Sequence, residues 1–154
     1  MSSTDKPKIW KGLLIVVLIF AITGFITPTF WSYFDTMFWW GYHTADVYDI
    51  SIQSIVCFVL MLVLHAVFLV FTFLEKKKPL TQGKPLMLIG LLIFIVAWTY
   101  FGLMYSAYDA YTGGSGSDFT DMYNWGWGIS ALLIDPVVIM LGGYVSHYQG
   151  TLHS

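Results

Sequence analysis

From Ile50 to Leu74 the chain is almost unbroken hydrocarbon, with His65 its only strongly polar ionisable side chain. Asp46 and Asp49 precede this run, and Glu75-Lys76-Lys77-Lys78-Pro79 ends it. About 20 helical residues at a rise of ~1.5 Å each cross the hydrocarbon of a bilayer. No soluble core needs an apolar run of that length, so the stretch marks an integral membrane protein. Composition extends the point to the rest of the chain. Only 10% of the residues are charged, whereas soluble domains average about 25%. Residues 1–154 therefore read as a single membrane domain, with no room for a separate soluble one.

Three further apolar runs join the first. The expected spans cover approximately residues 9–30, 47–74, 86–105 and 125–148, giving an all-α integral membrane four-helix bundle. Lys6, Lys8 and Lys11 precede the first run, which is too long for a signal h-region and lacks an A-x-A cleavage site, so a retained span is expected. Thr27-Pro28 should close it, and Gly12, Ala21 and Gly24 offer a neighbour close approach. Between helices 1 and 2 lies an aromatic-rich segment, Phe30 to Tyr42. Trp and Tyr favour the headgroup level. The segment is expected to lie flat at the interface, as a short helix if it takes regular structure. An anchoring belt accounts for it, and a lipid, quinone or partner-docking surface is the alternative. A Lys-rich turn (residues 75–85) joins spans two and three. A connection from Ser106 to Asn124, with a flexible tip at Gly113-Gly114-Ser115-Gly116-Ser117, joins three and four.

Charge sets the orientation. All seven lysines fall in the amino terminus or the Lys-rich turn, and the chain has no arginine. The other two connections carry Asp35, Asp46, Asp49, Asp109, Asp118 and Asp121. Short basic loops stay in the cytoplasm, so both termini and the Lys-rich turn are expected inside the cell membrane.

Ionisable groups at membrane depth are costly and need a reason. Two stand out, His65 in the second span and Asp135 in the fourth, followed by Pro136. Counting at ~1.5 Å per residue puts them within about one turn in depth. Gly128, Ala131, Asp135, Gly142 and Ser146 share one helical face, which suits a helix packed against a neighbour. Ser54, Met61, His65 and Thr72 share another. A His65–Asp135 contact satisfies both groups most simply. It would act as a structural interhelical bond. A proton or ion relay, or a haem or metal ligand set, is the alternative. His147 sits at the inner boundary, about two turns from His65 in depth, which disfavours a two-histidine haem.

A second constellation lies on the outer face. His43, Asp46 and Asp49 could form a copper, zinc or iron shell. Acidic residues in a first helical turn also complement the macrodipole, which explains them without a metal. One Cys (Cys57) excludes a disulfide framework. No phosphate loop, Ser–His–Asp elbow or zinc-protease helix is present, and no basic region suits nucleic acid. The expected function is a small non-catalytic membrane subunit of a larger redox complex, respiratory or copper-monooxygenase in type. Its partners would be the lipid bilayer and other membrane subunits. The alternative is a small proton- or ion-coupled carrier using His65 and Asp135, with a single-haem or metal electron-transfer protein third.

Overall fold

The computed structural model describes residues 6–32, 35–40, 51–75, 83–114 and 118–152. Four long helices dominate: α1 (Lys6–Ile26), α2 (Ser51–Glu75), α3 (Gly83–Thr112) and α5 (Trp127–Leu152), with a single-turn α4 (Phe119–Met122). Among the described residues, three helices are long and apolar enough to cross a membrane, in α2, α3 and α5. In α1 the apolar part described is the shorter stretch Gly12–Ile26.

The helix ends follow from local chemistry. α1 stops at Ile26 because Pro28 disfavours helical backbone at Thr27. The expected span therefore overran by four residues. α3 begins at Gly83 and takes Pro85 into its first turn, where the missing N–H would have had no helical acceptor anyway. It continues to Thr112, seven residues beyond the expected boundary at 105, and residues 106–112 are helix rather than connection. Gly113 and Gly114 end it with φ of 64° and 70°, a left-handed conformation that glycine adopts without strain. The Gly114 N–H returns to the Asp109 carbonyl at 3.2 Å.

Packing is uneven. α5 lies along α3 and along α1, while α2 lies along α3, touches α1 lightly and has no extended contact with α5. α2 and α5 thus stand on a diagonal. The α3–α5 seam is tight because glycine lets backbone meet backbone. A Cβ on Gly90 would come 2.8 Å from the Pro136 carbonyl oxygen. α5 runs on through Pro136, whose missing N–H leaves the Leu132 carbonyl without its usual helical donor. On α1, buried Gly24 sits against Ala131 and Leu132, while Gly12 is open.

In the aromatic segment after α1 the described residues form short strands rather than a helix. β1 (Phe30–Trp31), β2 (Thr36–Met37) and β3 (Asn124–Trp125) form an antiparallel sheet in the order β2-β1-β3. Phe30 pairs with Met37 and with Trp125. Burial alternates along β1 and again in the turn after β2. Phe30, Met37 and Trp39 point inward and are fully buried, whereas Trp31 and Trp40 point out. The fold is mostly helical as expected, but where a short interfacial helix was one expectation the described residues form two-residue strands, and Phe30, Met37 and Trp39 are buried rather than displayed. The sheet plugs the end of the bundle where α1 finishes and α5 begins. Thr29 N–H donates to Met37 and Gly126 N–H to Thr29, each at 2.8 Å, while Gly128 N–H reaches the Pro28 carbonyl at 2.8 Å.

Candidate functional site

α2 buries one stripe, Ser54, Cys57, Met61, His65, Phe68 and Thr72, at three- and four-residue steps. Two of its polar members are satisfied locally or nearly so. Thr72 donates to the Phe68 carbonyl at 2.8 Å, and the Ser54 hydroxyl points at the Met104 sulfur 4.0 Å away. His65 reaches farther. Its Nε2 lies 2.5 Å from Oδ2 of Asp135, across the diagonal of the bundle. Its Nδ1 lies 2.7 Å from the Met61 carbonyl. A carbonyl can only accept, so Nδ1 carries a hydrogen and donates. Phe25 of α1 stands edge-on to the imidazole at 5.4 Å and to Phe58 at 5.5 Å, and these rings bridge the α1–α2 seam.

Asp135 is completely buried, and its Oδ1 has no hydrogen-bond partner. The small residues beside it explain how it gets there. Gly128 and Ala131 are buried, and Ala131 and Leu132 meet Gly24 of α1. Gly142, on the same face, touches Leu13 and is only half-buried.

Among the described residues, the remaining sequence candidate, His147, does not join this pair. His147 is twelve residues from Asp135 along α5, about 18 Å of helix rise, and its backbone lies against Gly83 at the far end. That exceeds the two turns expected from counting, so it cannot share a haem with His65. His43, Asp46 and Asp49 lie outside the described residues. Among the described residues no three His, Cys, Asp or Glu side chains come close enough to hold a metal ion.

A second buried polar cluster was not singled out from the sequence. Thr29 Oγ1 lies 3.0 Å from the Tyr100 hydroxyl and donates to the Met37 carbonyl at 3.0 Å. Trp39 stacks on Tyr100 with ring centroids 4.2 Å apart, its Nε1 unpartnered. Nearby, buried Asp35 accepts a 3.2 Å bond from Tyr123, tying the β1–β2 turn to the segment before α5. The one available signal is Asp35, which in the sequence enters only the charge balance of the connections. A threonine after a proline and a tyrosine inside an apolar helix carry no pattern.

No protein-family model matches the chain, and no curated protein matches it.

Proposed function

We propose that the chain is a small four-span membrane protein with both termini in the cytoplasm, and that it serves as a non-catalytic subunit of a larger membrane redox assembly. α1 spans 21 residues in all, about 30 Å of helix, which suits a fourth crossing. Exposed Trp127 and Tyr144 of α5 stand seventeen residues apart, about 26 Å of rise, a spacing that suits aromatic anchors at the two interfaces. Asp135 falls midway between them, at the level where a charged group is most costly. The lysines of the amino terminus and residues 75–85, and the aspartates of the other two connections, support that orientation.

The observation that carries the subunit role is the filled interior. Phe30, Trp39 and Phe119 plug the outer end, and the α3–α5 glycine seam closes the inner half. His65 and Asp135 between them join two helices that have no other extended contact. That is the work of a packing bond in a scaffold. Meanwhile α2 leaves Ile52, Val56, Val59, Val63 and Val70 uncovered, a broad apolar face for lipid or neighbouring subunits.

Affinity purification in mild detergent tests the proposal. Other membrane subunits should co-purify in fixed stoichiometry, with metal or haem bound by those partners. Recovery of a lone monomer from native membranes would overturn it.

A further inference from the structure

The hydrogen count at the bundle centre leads beyond a static packing bond. His65 Nδ1 spends its hydrogen on the Met61 carbonyl, so the 2.5 Å Nε2–Oδ2 contact contains one proton, whichever atom holds it. With that proton the pair carries no net charge. Without it, the imidazole's one remaining hydrogen must serve either the Met61 carbonyl or the carboxylate, and the pair carries a buried net charge of −1.

Among the described residues no neighbouring charge offsets this. At the same level α1 contributes Ala21 and Phe25, and α3 contributes Ile93 and Ala97, none of them titratable. The nearest titratable groups are Cys57 on α2, about 12 Å of rise from His65, and Tyr100 on α3, both toward the capped end. On α5 the nearest are exposed Tyr144, about 14 Å of rise from Asp135, and His147, about 18 Å, both in the other direction. Asp135 Oδ1 has neither donor nor accessible surface, so nothing but a proton fits there without moving packed atoms.

Attachment of α2 supplies the mechanical half. It is held along α3, linked to α1 by little more than the Phe25 ring contacts, and linked across the bundle by this one bond. We infer that the His65–Asp135 pair is a proton-binding latch: with its shared proton it holds α2 against the bundle, and loss of that proton frees α2 to part from α1. In acid a second proton can settle on Oδ1 while Nε2–H still donates to Oδ2, so the latch stays shut. In alkali the shared proton leaves and the α1–α2 seam opens. The latch goes beyond the packing role and is tested on the isolated protein, so its failure leaves the subunit proposal standing.

The experiment uses spin labels at Ile22→Cys and Leu62→Cys in a Cys57→Ala background. Both residues are exposed, one turn from Phe25 and Phe58 on the same faces. Distances are measured by pulsed EPR in phosphatidylcholine vesicles from acid to alkaline pH. The expected result is a single short distance at acid and neutral pH that shifts to a longer, broader distribution in alkali. Asp135→Asn, whose amide donates permanently to Nε2, should stay short throughout, and His65→Leu should be long and broad at every pH. A wild-type distance unchanged through the alkaline range overturns the latch. So does an Asp135→Asn protein that opens as the wild type does.

Discussion

The two buried polar centres of this bundle are built on opposite plans. In the cap, Thr29, Tyr100, Asp35 and Tyr123 share several hydroxyl and carbonyl partners, and the β1–β2–β3 ladder ties the same segments together again. At the centre, one contact joins His65 to Asp135, and one carboxylate oxygen goes without a partner. Redundant bonds tolerate the loss of a member. A single bond between ionisable groups does not, because the survivor is left unpaired in a low-dielectric interior.

The largest effect should come from breaking the central pair on one side. His65→Leu or Asp135→Leu alone is expected to destabilise the fold by about 3–5 kcal/mol, measured by denaturant titration in micelles. The double variant should recover most of that loss, because two apolar side chains strand nothing. Equal losses in the single and double variants would make the pair no more than packed volume. In the cap, Tyr100→Phe should cost only about 1 kcal/mol by the same measurement, since Thr29 keeps the Met37 carbonyl. Asp35→Asn should cost less still, below about 1 kcal/mol, because an amide oxygen can accept the Tyr123 hydroxyl. A cap variant that matched the central one would erase the contrast between the two plans.

The centre was legible in the sequence and the cap was not, for a physical reason. His65 and Asp135 stand out because hydrocarbon makes any ionisable group conspicuous, and helical spacing shows which face each occupies. Two short periodic stripes and a depth count were enough to bring them together. The cap depends instead on pairing Phe30 with Trp125, residues far apart in sequence, through strands of two residues each. Two residues are too few for alternation to register, and clustered aromatics suit an interfacial belt equally well. The extension of α3 past Tyr105 was hidden likewise, since Ser106, Asp109 and Thr112 read as connection although the backbone stays helical until Gly113.

The middle position of β1 has a consequence for biogenesis. One of its edges pairs with β2 almost as soon as it is synthesised, but the other waits for β3, which follows about 90 residues later. At ribosomal speeds of ~5–20 residues per second, that edge stays bare for roughly 5–20 s. The chain therefore completes α2 and α3 with that end of the helices unsealed, and the strand that closes it arrives just ahead of α5.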